Sequence, residues 1–168
     1  TYNSSKYVLE TLESCKAQTY DNIELIITDD ASTDNTVVVC REWLALNKDR
    51  FVSTELVVIS SNSGIPANCN RGIKASKGEW IKIIAGDDAL TDTAIEEAQN
   101  FINKGRDIEV LATQVEKFKG SFHDLNSLGV KPNHHKKAFF YLSVPNITAQ
   151  IEFILSGGYY MAPGFFVK

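Results

Sequence analysis

The stretch that decides the fold is "IELIITDDASTDNT", Ile23–Thr36. Its first six residues are short, rich in isoleucine and bounded by Asn22 and Asp29, the pattern of a strand buried in the middle of a sheet. The acidic turn that follows places Asp34 to open a helix running through Leu46. A buried strand leading through a short turn into a helix is the repeating unit of an α/β fold.

The same alternation extends in both directions. Upstream, Val8, Leu9, Leu12 and Cys15 recur at helical spacing between Ser5 and Gln18, with Ser4 or Ser5 as the cap. Downstream, "ELVVISS" (55–61) reads as a second strand. Pro66 starts a helix that Gly78 can end, and "EWIKIIA" (79–85) is a third strand. Thr93 and Glu96 form a capping box for the helix "TAIEEAQNFI", and "IEVLATQVEKF" (108–118) is a further strand. From Gly120 to Asn133 the pattern dissolves into turn residues, which reads as a surface excursion or lid. Two helical candidates follow, "KKAFFYLS" (136–143) and "ITAQIEFILS" (147–156), carrying Phe139, Phe140, Phe153 and Leu155 as packing residues. No internal repeat or low-complexity linker interrupts the chain.

Composition narrows the function classes. The chain has 168 residues, 43% of them hydrophobic and 23% charged, enough for one globular domain with a real core. Seventeen Lys and Arg stand against 21 Asp and Glu, a net charge of −4, which argues against a nucleic-acid partner. Cys15, Cys40 and Cys69 are spaced for neither a zinc site nor a disulfide framework, so reduced thiols in a cytosolic chain are expected. The longest apolar runs fall short of the roughly 20 residues that span a bilayer. The chain does not begin with Met and stops on the strand-like "GFFVK", so both ends are expected to be cuts through a longer protein.

Two acidic pairs stand at carboxyl ends of expected strands: Asp29 and Asp30 in "TDDASTDNT", and Asp87 and Asp88 in "AGDDALTD". In open α/β sheets ligands bind at that edge. An aspartate before a helix is often only its cap, but Thr91, Asp92 and Thr93 lie closer to the next helix than Asp87 and Asp88 do. Two unpaired carboxylates about 4 Å apart repel by several kcal/mol at an effective dielectric of ~20, and a divalent cation reverses that sign. Few hard oxygen ligands suit Mg²⁺ or Mn²⁺, which takes the rest of its shell from water and phosphate.

These motifs, taken in order, resemble the inverting family 2 glycosyltransferases of GT-A fold. "TYN" at Thr1–Asn3 resembles the end of that family's first strand, and "SCKAQTYDNIELIITDDASTDNT" (14–36) its most specific block. "NSGIPANCNRGIKASKGEWIKIIAGDD" (62–88) continues in the same order. The resemblance is strong over the first 110 residues and weak from about Gly120. It implies a Rossmann-like nucleotide-binding sheet flanked by helices in three α/β/α layers. Residues 1–110 would be the nucleotide-binding half, and 111–168 would begin the acceptor-side half.

By the same resemblance, Thr1 and Tyr2 would line the base pocket, with Tyr2 stacking on the base and Asp30 accepting a hydrogen bond from it, and Asn3 would bind the nucleotide. Asn62, Gly64 and Asn70 would flank the nucleotide, although turn roles suit them equally. Asp87 would approach the ribose or metal, and Asp88 would ligate the Mn²⁺ or Mg²⁺ that bridges the diphosphate. Asp29 is read as bonding to loop backbone N–H groups and Asp34 as a helix cap. Cys69 stands where many relatives carry Arg, with Arg71 two positions on, which puts a guanidinium contact to phosphate in doubt.

The implied activity is transfer of a sugar, with inversion, from a nucleoside-diphosphate sugar, expected to be UDP-linked, to a saccharide or lipid-linked saccharide. The implied setting is surface polysaccharide synthesis in the cytoplasm or at the cytoplasmic face of the membrane. Membrane attachment of the parent chain is left open. The general base is expected beyond Lys168. Asp124, Glu152, His134 and His135 are candidates by residue type only, the His pair among lysines reading as a solvated face. The alternatives are a noncatalytic nucleotide-sugar-binding domain, a metal-dependent nucleotidyltransferase lacking the usual Gly-rich phosphate loop, and a receiver-type phosphoacceptor module. The receiver reading gives Asp88 no role.

Overall fold

The structure, a computed structural model, describes residues 1–104, 109–113, 115–121, 126–131 and 165–168. The chain divides into two compact units, Thr1–Ile108 and Glu109–Lys168.

The first unit is α/β. Glu24–Asp29 (β1) pairs in parallel with Ser53–Val58 (β2), with Glu24 opposite Ser53 and Asp29 opposite Val58. On the other side of β1, Thr1 N donates to Thr28 O and Asp30 N donates to Thr1 O. That pair of bonds is a single rung of a parallel ladder between Thr1 and Asp29. Val8–Lys16 (α1) and Thr36–Asn47 (α2) cover one face. Ile65–Ala75 (α3) packs against β1, where Gly72 sits so close that an added Cβ would lie 3.3 Å from Thr28 Cγ2.

The core explains these positions. Val8, Leu12 and Cys15 of α1 meet Ile27 of β1, Cys40 and Trp43 of α2, and Phe51, with Ile23, Leu25, Leu56 and Leu90 packed around them. Trp43 and Phe51 contact at 6.1 Å between ring centroids in a tilted arrangement, and the indole N–H donates to Glu13 Oε1 at 2.6 Å. The cysteines are free thiols. Burial pushes the Cys15 and Cys40 thiols up to about 11, so both stay neutral and behave as small apolar residues.

Several boundaries differ from the sequence reading. The first helix starts at Val8, not Ser5, with no side-chain cap. Ser4 instead supplies its carbonyl to the amides of Tyr7 and Val8, and the Ser5 amide donates to Asp34 Oδ2. The expected helix to Gly78 ends at Ala75, with Pro66 in its first turn. The third strand shrinks to Ile81–Lys82 (β3).

Ala94–Ile102 (α4) has Thr93 at its N-cap but no capping box. Thr93 Oγ1 donates to Glu97 Oε1, and Glu96 accepts from Thr19 Oγ1 instead. The first-turn amide of Ile95 is capped by Gln18 Oε1 at 3.1 Å, and Gln18 Nε2 donates to Thr91 O at 2.8 Å. A side chain from the end of α1 thus does what the local box was expected to do, and it docks residues 90–95 on that helix.

In the second unit the run read as one strand is two, Val110–Ala112 (β4) and Val115–Phe118 (β5). The former pairs antiparallel with Phe165–Val167 (β7). The latter pairs antiparallel with Ser127–Lys131 (β6), so five residues of the expected surface excursion are strand. The helical candidates at 136–143 and 147–156, with Asp124, His134, His135 and Glu152, lie outside the described residues.

Candidate functional site

The site is built at the carboxyl end of β1. The strand ends on Thr28 and Asp29, and the chain then turns through Ala31, which takes φ +65° although it is not glycine. An L-residue pays about 1–2 kcal/mol for the left-handed region, so the turn is held by its bonds rather than by local preference. Asp29 supplies them. It is 1% exposed, its Oδ1 accepting from the Ser32 amide at 2.8 Å and its Oδ2 from Ser32 Oγ at 2.6 Å and Thr1 Oγ1 at 2.9 Å. Asp29 therefore closes its own loop and clasps Thr1.

Asn3 and Asp34 tie residues 1–5 to the same loop. Asn3 Oδ1 accepts from the Thr33 amide at 2.8 Å, and the Asn3 amide donates to Ser32 Oγ at 2.8 Å. Asp34 Oδ1 accepts from both the amide and the hydroxyl of Thr36, and its Oδ2 from the Ser5 amide. These donors, the Thr36 hydroxyl foremost, hold the Asp34 carboxyl well below the usual carboxylate range. It caps the first turn of α2. Asn3, expected to line the nucleotide, has its amide oxygen committed to the loop.

Asp30 points the other way and is 3% exposed. Its Oδ1 accepts from Ser63 Oγ at 2.7 Å and Arg71 Nη2 at 2.5 Å, its Oδ2 from the Gly64 amide at 2.7 Å, and the Ser63 amide is shared between both oxygens at 3.1 Å. Burial pushes this carboxyl up, but the Ser63, Arg71 and Gly64 donors outweigh it and bring it down to about 2. The expectation that Asp30 accepts from a base thus meets a carboxylate whose oxygens already serve the protein.

Arg71, considered for phosphate, turns inward. Besides Asp30 it donates to Ser63 Oγ at 2.8 Å and Asn68 Oδ1 at 3.0 Å, while its Nε is buried without a partner. Asn68 Nδ2 then donates to Thr28 O at 3.3 Å and Thr1 O at 3.4 Å.

The second acidic motif arrives at the same place through Gly86. A Cβ on Gly86 would lie 2.7 Å from Thr1 Cγ2 and 3.0 Å from Ser4 Oγ, so only glycine lets this turn lie against residues 1–4. The two aspartate pairs are therefore bracketed about Thr1, one through a ladder rung and one through a close van der Waals approach. Asp87 is exposed and Asp88 half-buried. Burial, with the neighbouring Asp87, raises the Asp88 carboxyl above its ordinary value, and burial pushes Lys82 down to about 8 while Asp88 pulls it back up.

Among the described residues no group of three His, Cys, Asp or Glu could hold a metal by itself. A raised carboxyl beside a second carboxylate is nonetheless what a hard divalent cation relieves, and two protein oxygens suffice for Mg²⁺ or Mn²⁺ when phosphate and water complete the shell. Asp88 and Asp87 fit such an ion.

The other expected residues are placed as follows. Tyr2 is 49% exposed beside Thr1. Asn62 and Asn70 are exposed, and Asn62 Oδ1 accepts from the Gly64 amide at 3.2 Å. Gly64 has φ +87° and precedes α3, a conformation that excludes most side chains. The sequence reading missed Ser63 and Asn68, and it assigned Arg71 no partner. The serine had no signal of its own, whereas Asn68 and Arg71, three apart on one helix with a glycine after them, could have been read as a polar face turned to β1.

Comparison with known proteins adds the family. The family described as "Glycosyl transferase family 2" matches residues 1–159. Over 96 residues the chain is 38% identical to "Glycosyltransferase GlyG" of Streptococcus pneumoniae serotype 4, covering 56% of this chain and 30% of that protein. Over 131 residues it is 28% identical to "Minor teichoic acid biosynthesis protein GgaB" of Bacillus subtilis, covering 75% of this chain and 14% of that one. Crystal structures of S. aureus TarS 1-349, one in complex with UDP and one with UDP-GlcNAc, superpose at a TM-score of 0.60 with 28% identity, covering 71% of this chain and 33% and 32% of those. The chain thus spans a third or less of these relatives. Motif order and the α/β unit around β1 agree with these matches: the chain belongs to glycosyl transferase family 2 and has the GT-A fold.

Proposed function

We propose that the chain carries the donor site of a glycosyltransferase that moves a sugar from a uridine-diphosphate sugar to an acceptor hydroxyl with inversion. The observation that carries the reading is the seating of Gly86 against Thr1, which brings the Asp87–Asp88 turn beside the loop built by Asp29 and Asp30. Tyr2 offers an exposed ring for a base, and Gly64, at φ +87°, suits close backbone approach. Asp88, with Asp87, would hold Mn²⁺ or Mg²⁺ against the diphosphate. When bound, such an ion neutralises the charge that develops on the departing nucleoside diphosphate. The residues of this chain orient the donor. The group that deprotonates the acceptor is proposed to lie after Lys168.

Several findings support the reading from outside the chain. The TarS structures hold UDP and UDP-GlcNAc, and GgaB is named for minor teichoic acid biosynthesis, which favours a uridine donor and a surface polymer as acceptor. Nucleotide sugars are cytosolic, so the site is proposed to face the cytoplasm. Among the described residues no helix is long and apolar enough to cross a membrane.

The test is to supply UDP-GlcNAc with Mn²⁺ and candidate saccharide or lipid-linked acceptors, and to follow UDP release together with the anomeric configuration of the product by NMR. A β-linked product from the α-linked donor is expected. Retention of configuration, or UDP release unaffected by any acceptor or alternative donor sugar, would contradict it.

A further inference from the structure

The Asp87–Asp88 turn is supported on both flanks. Ahead of it, Gly86 lies against Thr1 and Ser4. Behind it, residues 90–96 are strapped to the end of α1 and the loop that follows. The Leu90 amide donates to Ser14 Oγ at 3.1 Å. Gln18 Nε2 donates to Thr91 O at 2.8 Å, and Gln18 Oε1 accepts from the Ile95 amide at 3.1 Å. The Thr19 amide donates to Asp92 O at 2.9 Å, and Thr19 Oγ1 to Glu96 Oε2 at 2.6 Å.

Gln18 and Thr19 stand past Lys16, the last residue of α1, where no helical ladder fixes the backbone. Arg50 supplies the hold. It closes a single 3₁₀ turn, Lys48–Arg50, ahead of β2. Its Nε donates to Lys16 O at 3.1 Å, its Nη2 to Gln18 O at 2.6 Å and Tyr20 O at 2.9 Å, and its Nη1 to Asp21 O at 3.4 Å. The guanidinium carbon lies 5.6 Å from the ring centroid of Phe51, so the fork is backed by a core residue. A planar fork with separated donors suits carbonyls spread from Lys16 to Asp21, whereas an ammonium presents its donors from one point. The positive charge also meets the negative end of α1. The ion pair with Asp21, at 3.9 Å and with the Asp21 side chain 99% exposed, adds little to this.

We propose that Arg50 is a positioning residue for the metal turn. By holding the backbone of residues 16–21 it sets Gln18 and Thr19, and through the segment they bind it seats the Asp87–Asp88 turn against residues 1–4. The inference rests on the reading of that turn as the metal-binding part of a donor site.

The experiment titrates UDP calorimetrically, with Mn²⁺ and with the metal chelated, into wild type, Arg50→Met, Arg50→Lys and Glu13→Ala, each well below its melting temperature. Amide hydrogen exchange at Thr19 and Ile95 is followed in the nucleotide-free proteins. Glu13→Ala removes the acceptor of the Trp43 indole from the same helix and leaves the strap alone, so it controls for plain loss of stability. Arg50→Met weakens Mn²⁺-dependent UDP binding by about threefold to tenfold, the effect of one or two lost hydrogen bonds, and leaves binding with the metal chelated unchanged. Exchange at both amides speeds up. Arg50→Lys keeps the charge without the fork and gives a smaller change of the same kind, while Glu13→Ala lowers the melting temperature with the metal response intact.

A wild-type response to Mn²⁺ in Arg50→Met, or equal losses in Arg50→Met and Glu13→Ala, would overturn the inference. If Arg50→Met does not fold, Arg50→Lys decides alone. A wild-type protein that binds UDP no better with Mn²⁺ than without it overturns the metal reading itself. Exchange at Thr19 and Ile95 still shows whether Arg50 holds the strap, so the two failures are told apart.

Discussion

Gly86 lies so close to Thr1 that a methyl group on it would sit 2.7 Å from Thr1 Cγ2. The same Thr1 forms a ladder rung with Asp29, so a contact at one residue fixes the spacing of two acidic motifs almost sixty positions apart in sequence. Gly86→Ala therefore forces either the Asp87–Asp88 turn or residues 1–4 to move. It should destabilise the protein by about 1–3 kcal/mol in urea denaturation, the usual cost of overpacking. Gly72→Ala, whose Cβ would meet Thr28 Cγ2 at 3.3 Å, should cost less because a methyl can give by a few tenths of an ångström.

Ala31 predicts the opposite sign. It holds φ +65° at a cost of about 1–2 kcal/mol, and glycine removes that strain while adding about 0.4–1 kcal/mol of unfolded-chain entropy. Ala31→Gly should stabilise the protein by roughly 0.5 kcal/mol, read as a higher urea midpoint at unchanged slope. A lower midpoint would mean that the turn after Asp30 is not left-handed.

Acid stability follows Asp30. Its carboxyl is brought from an ordinary 3.8 down to about 2, so the folded state binds this proton less readily than the unfolded state does. Its contribution is complete above 3.8 and is lost as pH falls through about 2. In Arg71→Met one of the donors that depress the carboxyl is gone, and the acid limb of a melting-temperature profile should move to higher pH. An unmoved limb would remove Arg71 from the set that stabilises the ionised form.

Gln18 tests positioning at a distance. It is buried two residues past the end of α1, caps the Ile95 amide and donates to Thr91 O, just beyond the Asp87–Asp88 turn. Gln18→Leu removes the partner of that part-buried amide, which should cost roughly 1 kcal/mol of stability. The mutant should also weaken Mn²⁺-dependent nucleotide binding without touching a proposed ligand. Calorimetric titration of the mutant checks the second effect.

The central unit of this fold was legible because Ile23–Thr36 combines an apolar run, an acidic turn and a helix start whose signals agree. The strand came out at Glu24–Asp29 and the helix at Thr36–Asn47. "EWIKIIA" misled because an apolar run says that residues are buried, not that they pair, and only Ile81–Lys82 is strand. Thr93 and Glu96 had the spacing of a capping box, yet Gln18 reached the helix end first, a contact between residues more than seventy apart. The stretch after Gly120 looked irregular because Ser127, Leu128 and Gly129 of β6 are all exposed and Gly129 takes φ +92°, so these residues lack the alternation of a half-buried strand.

At the site, Asp29 bonding its own loop was legible, since aspartate commonly accepts from an amide a few residues on. The partners of Asp30 were less so, because they come from 33 to 41 positions away and Ser63 carries no local pattern that points back to β1, although Arg71 shares a polar helix face with Asn68. Residue types show which groups are able to bind a nucleotide. Only the fold shows which of them are already taken.

The claim that Asp88 and Asp87 hold a divalent ion against a nucleoside diphosphate is tested most directly by calorimetric titration of UDP into the wild type and Asp88→Asn, with Mn²⁺ and with the metal chelated. The account predicts binding by the wild type that weakens at least about tenfold on chelation, and an Asp88→Asn variant that is already weak and insensitive to metal. Equal affinity in all four titrations, or a variant that keeps the full response to Mn²⁺, would contradict it.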